Sequence, residues 1–470
     1  MIRTHRLTWT LLVNAALALC APMVTGLAWA APRLESIAVT PAAPSISVGQ
    51  TQAFTATGTF SNGSTQALGP AISDMTLGLY STCALQTSGS VECWGNNDNG
   101  LLGNGTWIDS LVPRAVKRIT TARGVALGES HGCALLVSGA VECWGFNFYG
   151  ELGNGANHTS STPVAVIGIG NATALAVGSQ HSCALLASGA AQCWGGNGHG
   201  QLGDGSYSDR NIPVSVSGIS TATALAGSYS HDCALLASHA VQCWGYNFYG
   251  QLGNGTTSDS STPVTVNGIG TATAVAAGLE SSCALLASGA VQCWGDNNFG
   301  QLGDGTNSDS TVPVLVIGIS TATAITAGAN HYCVLLQSGS VECWGANGYG
   351  QLGDGLPSTY TNTPVRVHGI TAPTRVVAGF EFTCVLFSGG VMRCWGQNNF
   401  GQLGNRRKSS TPNPLSVKVV GTPGVVWKSS DPAKATITDR GVATGRTLGN
   451  TMISATTPGF INDNAALTVK

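Results

Sequence analysis

Short apolar runs of four or five residues recur along the chain, each closed by glycine, serine or proline, and no segment sustains the 3.6-residue period of a helix. The clearest runs come in pairs. Cys183-Ala-Leu-Leu and Ala190-Ala-Gln-Cys193-Trp194 are joined through Ser188-Gly189, and glycine supplies the left-handed backbone that a tight hairpin loop needs. A three-residue loop, Ala187 to Gly189, sets Leu186 opposite Ala190. Counting back along both strands then sets Cys183 opposite Cys193. The same register pairs Cys83 with Cys93, Cys133 with Cys143, Cys233 with Cys243, Cys283 with Cys293, Cys333 with Cys343 and Cys384 with Cys394. One cross-strand disulfide per hairpin is expected, with buried free thiols as the alternative.

The first cysteines of these pairs are spaced by 50 residues five times and by 51 once, the mark of a repeat architecture. Each repeat offers four candidate strands, for example Pro163-Val-Ala-Val166, Thr173 to Val177, Cys183 to Leu186 and Ala190 to Trp194. Seven four-stranded units over residues 70–421 predict a β-propeller. The first copy lacks an upstream Pro-Val-x-Val strand and the last leaves a spare one, Pro414-Leu-Ser-Val417. That spare strand is expected to pair into the first blade and close the ring.

The flanks have a different texture. Residues 33–69 and 422–470 carry no cysteine and contain alternating strands such as Ser36 to Thr40, Ala53 to Thr57, Thr451 to Thr456 and Ala465 to Val469. At 37 and 49 residues, neither piece is large enough to fold alone, but together they make about one small β-sandwich. The expected architecture is therefore all-β: a seven-bladed propeller inserted into a loop of a small sandwich, with the array ends close together.

Composition narrows the setting. Charged residues are 9% of the chain, hydrophobic residues 43%, and the 64 glycines suit many tight turns. A formal net charge of −2 offers no field for nucleic acid or acidic lipid. The basic run Arg406-Arg407-Lys408 reads as a solvated loop. Residues 1–30 read as a signal peptide, with Arg3, His5 and Arg6, an apolar Leu7 to Cys20, and Ala28-Trp29-Ala30 for cleavage. Its removal leaves 14 cysteines, an even number, in a protein exported to the periplasm, the cell surface or the medium. No later stretch is long and apolar enough to span a bilayer.

Two resemblances follow. Ile37-Ala-Val-Thr-Pro41, Val48 to Ala56 and Phe60-Ser-Asn-Gly-Ser64 resemble the first half of a bacterial immunoglobulin-like group 2 domain, and Val426 to Asp431, Ala435-Thr-Ile437 and Gly441-Val-Ala-Thr-Gly445 its second half. Cys283-Ala-Leu-Leu, Cys293-Trp-Gly-Asp-Asn297 and Gly300-Gln-Leu-Gly303 resemble the regulator of chromosome condensation repeat, which implies a seven-bladed propeller. Gly404-Asn405-Arg406 departs from the Gly-[Asn/Asp]-Gly of the other copies, and a different turn is expected there.

Candidate chemistry is sparse. His131, His181, His231 and His331 stand two residues before a cysteine and read as repeat-linked structural residues rather than a metal ring. Asp304-Gly-Thr-Asn-Ser-Asp309 has the look of a calcium loop but lacks the later glutamate, so turn-forming is the preferred role. The tryptophans Trp94 to Trp395 of the Cys-Trp-Gly motif read as packing between blades. No phosphate loop, zinc pair or nucleophile elbow is present, so no enzyme, metal or cofactor is expected.

The positions that vary between copies are the informative ones. Phe146, Phe148 and Tyr149, then Tyr246, Phe248 and Tyr249, follow Trp-Gly in equivalent loops, with Gly196, Gly198 and His199 between them and Phe299 in the next copy. Two aromatic ridges flanking a glycine-floored dip form the candidate binding surface. The expected function is a secreted or surface, monomeric binding protein for a protein partner. A carbohydrate-binding adhesin is the alternative. Guanine-nucleotide exchange, which family resemblance implies, is disfavoured by export.

Overall fold

The computed structural model describes residues 34–470 apart from 62, 64, 69–70, 357–358, 389, 411–412, 414, 420–424, 438–440 and 458–461. The signal-peptide reading of residues 1–30, with Cys20, lies outside the described residues. Every described element is a strand.

Hairpin register follows from the loop. Leu186 N donates to Ala190 O at 2.8 Å, so the next pair inward, Leu185 with Ala191, is a non-hydrogen-bonded one, and two residues further Cys183 faces Cys193 in the same narrow setting. All seven pairs are bridged, with Cα atoms 4.0–4.1 Å apart, and all fourteen sulfurs sit in fully buried residues. Gly189 turns the loop at φ +82°, where an added Cβ would lie 2.7 Å from Ser220 O. The fourth hairpin places His239 there at φ +65° and anchors its Nδ1 at 3.0 Å from Ala272 O.

Seven sheets of four strands follow, each in consecutive order. The third blade is Ala172–Val177, His181–Leu186, Ala191–Gly195 and Arg210–Ser215. This grouping is offset by one strand from the sequence-based expectation. The strand carrying Pro163, Ser160–Ala165, is the outermost strand of the second blade, not the opening strand of the third. Proline suits that place, because the outermost strand pairs on one side only and a missing N–H blunts an exposed edge.

The offset overturns the expected closure. Val417–Lys418 pairs with Met392–Gly396 of its own seventh blade and does not cross to the first. The seam closes instead by the contact that joins every other pair of blades. Each Cys-Trp-Gly indole donates to a main-chain carbonyl of the preceding blade: Trp144 to Leu101, Trp194 to Glu151, Trp244 to Gln201, Trp294 to Gln251, Trp344 to Gln301 and Trp395 to Gln351, at 2.7–2.9 Å. Trp94 donates to Gln402 O at 3.0 Å and completes the circle. Met75, Leu77 and Trp94 of the first blade share a core with Phe382, Leu386 and Leu403 of the seventh.

The two ends of the chain meet in a separate core. Ser45–Ile46 runs parallel to Asn462–Val469, and Thr51–Ala53 pairs antiparallel with Val442–Gly445. Ile37, Val39, Phe54 and Ala56 pack with Trp427, Ile453, Ala455 and Leu467.

Candidate binding face

The loops between third and fourth strands share one face with the short loops between first and second strands. Phe146 N donates to Ser130 O and Tyr246 N to Ser230 O, each at 2.9 Å. The hairpin turns lie at the opposite end of each sheet.

Each long loop is pinned from inside by a buried asparagine. Asn247 Nδ2 donates to Thr256 O and Ser258 O, its Oδ1 accepts from Leu252 N at 2.9 Å, and its own N–H donates to Asp259 Oδ1. Asn147 makes the equivalent side-chain bonds to Ala156 O, His158 O and Leu152 N. Next to these fixed points Phe148 and Phe248 stand out, 66% and 64% exposed. Phe148 meets Tyr149 edge-on at 5.1 Å and lies 6.5 Å from Phe146; Phe248, Tyr249 and Tyr246 repeat the arrangement. Phe299 is also exposed.

The space between the two aromatic groups is asymmetric. His199 leaves its own blade, packs on Tyr246 at 4.6 Å and brings Nδ1 to 2.9 Å from Asp259 Oδ2. A Cβ on Gly198 would meet nothing within 4 Å, whereas Gly196 lies under the Gln180 side chain. Acids flank the second group. The carboxylate of Glu280, followed by partial burial, pushes the Tyr249 hydroxyl up. Burial, followed by Asp296 and Asp309, pushes Glu280 itself up.

Loops at the ring centre carry no motif that would single them out in the sequence. Leu79, Glu129, Ser179, Tyr229, Leu279, Ala329 and Phe380 line a central depression, with Ser179 hydrogen-bonded to Glu129. Its volume of about 120 Å³ holds a few waters. Small-molecule sites occupy roughly 300–1,000 Å³, and this depression is smaller than that.

The buried histidines join blades. Ser182 Oγ donates to Glu151 O and so accepts from His131 Nε2 at 2.8 Å. His231 meets Ser282 and His331 meets Thr383 in the same way. His181 meets Asp232, with Cys183 beside them, but that cysteine is bridged to Cys193 and all three residues are buried. The sulfur is therefore neither a thiolate ligand nor a nucleophile. Asp304 spends its carboxylate on Thr306 N and Oγ1, and Asp309 accepts from Asn297 N through Oδ1 alone, as turn-forming residues do. The loop at Asn405 keeps the common turn despite its missing glycine: Asn405 Oδ1 accepts from Arg407 N, and Arg406 takes φ +63°. The different turn expected there is not formed.

A closed ring of seven four-stranded blades, each stapled to the last through a tryptophan, defines a seven-bladed repeat propeller. The profile of the regulator of chromosome condensation (RCC1) repeat matches six consecutive segments, 88–135, 138–185, 188–235, 239–285, 288–335 and 338–386, and the chain belongs to that family. A second profile of the same repeat matches within 172–201, 272–301, 322–351 and 374–402. No curated protein matches the chain. Among solved structures, Prp20p from Saccharomyces cerevisiae is similar at 22% identity and TM-score 0.64, covering 74% of this chain and 90% of that one. Yeast RCC1 (Prp20) bound to Kap60 is similar at 20% and 0.63, covering 81% and 91%. Human WBSCR16 is similar at 23% and 0.61, covering 67% and 87%. Among the described residues no helix is long and apolar enough to cross a membrane.

Proposed function

We propose that this chain is an exported, non-catalytic binding protein that engages a protein partner through the long-loop face of the propeller. The observation that carries this reading is the pairing of exposed Phe148 and Phe248 with turns fixed by buried Asn147 and Asn247. Aromatic side chains held on a rigid frame bury large areas at little ordering cost on binding. Among family propellers, Prp20p is described by its binding to Gsp1p and histones, and yeast RCC1 was solved bound to Kap60, so protein recognition is a use this fold supports. Seven disulfides suit an oxidising compartment, in line with the signal-like residues 1–30. The flanking sandwich, proposed as a bacterial immunoglobulin-like domain, gives the propeller a mount on the cell surface.

The test is quantitative capture with the mature protein and with the double variant Phe148→Ala, Phe248→Ala, followed by calorimetry on any partner retained only by the former. The double variant should keep its melting temperature and lose about 30-fold or more in affinity if either ring is a hot spot of about 2 kcal/mol. Undiminished affinity would remove these loops from the interface, and a glycan array positive for both proteins would favour the adhesin reading.

A further inference from the structure

The seam between the seventh and first blades contains a small assembly that the other seams partly repeat. Lys408 places its Nζ 5.7 Å from the centroid of Phe400 and 3.0 Å from Asp109 Oδ2. An ammonium held between a ring face and a carboxylate is favoured by both the ring quadrupole and the charge. Phe400 stands just before the glycine of its loop, and Asp109 closes the loop of the next blade. The same two positions are aromatic and aspartate at three other seams: His199 with Asp259, Tyr149 with Asp209, and Tyr249 with Asp309.

Two of these four places are filled from within the protein, by the Lys408 ammonium and by the His199 ring itself on Asp259. The other two hold no cation: among the described residues no lysine, arginine or histidine pairs with Asp209, Asp309, Glu151 or Glu280. Both carry a further acid. Glu151 stands where five other copies have glutamine; its Oε2 accepts from Tyr149 N at 2.9 Å, as the glutamine oxygens do, but its Oε1 is fully buried with no partner. In the fifth and seventh blades the matching glutamine nitrogen reaches Asp296 and Gln397, the residue just after Trp-Gly, a position that Phe146 holds in the second blade. At the other seam Glu280 and Asp309 lie close enough to raise the Tyr249 hydroxyl.

We propose that the Tyr149–Asp209 and Tyr249–Asp309 seams are sockets for lysine side chains of a protein partner, each taking an alkylammonium group as the Phe400–Asp109 seam takes Lys408. The two sockets are two blades apart, so the favoured partner presents at least two lysines on one surface. Burial pushes Glu151 up to about 7, with Asp209 adding to it. An entering ammonium favours the ionised carboxylate. This inference rests on the long-loop face being the binding face, but its test needs no partner, so the two can fail separately.

The probe is Nα-acetyl-lysine amide, with Nα-acetyl-norleucine amide as its uncharged match, titrated into protein labelled at its nine tyrosines and followed by NMR. Tyr149 and Tyr249 should shift saturably with the lysine probe and not with norleucine. Glu280→Gln should weaken the Tyr249 response fivefold or more and spare Tyr149; Glu151→Gln should do the reverse. Neither substitution removes an acceptor that holds a loop, since Glu280 makes no side-chain bond among the described residues and glutamine serves at the position of Glu151 in five other copies. Lys408→Ala should open a third socket and bring Tyr80, which packs on Phe400 at 4.7 Å, into the set of responding tyrosines. Equal shifts with norleucine, absence of saturation, or responses unchanged in both glutamine variants would overturn the proposal.

Discussion

His131, His231 and His331 are enclosed without a counter-charge, and burial holds each imidazole down at about 3 from an ordinary 6.5. Between those values the unfolded chain binds protons that the folded chain refuses, so each ring lowers stability as pH falls through that window. At pH 5 the contribution is about 2 kcal/mol per ring. Glu151 works in the opposite sense: pushed up to about 7, it favours the fold at low pH and loses that contribution as pH rises from 4.5. The useful quantity is therefore a difference. Urea unfolding of His331→Gln, which keeps a donor for Thr383 Oγ1, should gain about 2 kcal/mol on wild type between pH 7 and pH 5. A constant gap would mean that the ring is not held neutral. The partners of these rings stand 51 or 52 residues further on, Ser182, Ser282 and Thr383, as Asp232 does from His181, a signal that reading each repeat by itself passes over. The turn at Asn405 shows the reverse, a local signal that misled. The asparagine side chain sets that turn, and Arg406 tolerates the left-handed backbone that glycine adopts elsewhere.

Within each blade the hairpin is the unit the sequence specifies most fully, because loop length, glycine position and cysteine spacing all fix one register. Each bridge closes a loop with a sequence separation of 10, which corresponds to roughly 3 kcal/mol in the chain-entropy description. Replacing both Cys183 and Cys193 by alanine should therefore cost about that much in urea unfolding, and the unreduced, denatured wild type should expose no alkylatable thiol among the fourteen. Several reactive thiols in exported protein would contradict the bridged hairpins. Assignment of the outermost strand was not legible. The proline-bearing strand lies between two hairpins, and its pairing with Val141–Gly145, Cys143 opposite Val164 among others, decides that it belongs to the earlier one.

At the scale of the molecule, the ring is closed by tryptophan bonds and shared core rather than by an exchanged strand, and the chain ends form their own core beside it. If that core is one domain, joining Gly69 to Thr422 through a short linker without the ring should give a folded β unit by circular dichroism and NMR, whereas an unfolded fusion would show that it depends on the propeller. The exposure of the loop aromatics was legible in part. Varying aromatics marked Phe148 and Phe248, but His199 crossing to Tyr246 and the central depression depend on contacts between loops that share no motif. Hydrogen exchange on a purified complex tests most directly whether the long-loop face holds the partner. Exchange should slow in residues 146–150 and 246–250 on partner binding, with the hairpin turns around Gly139 and Gly189 unchanged. Protection confined to those turns would place the partner on the opposite end of the ring and contradict the proposed interface.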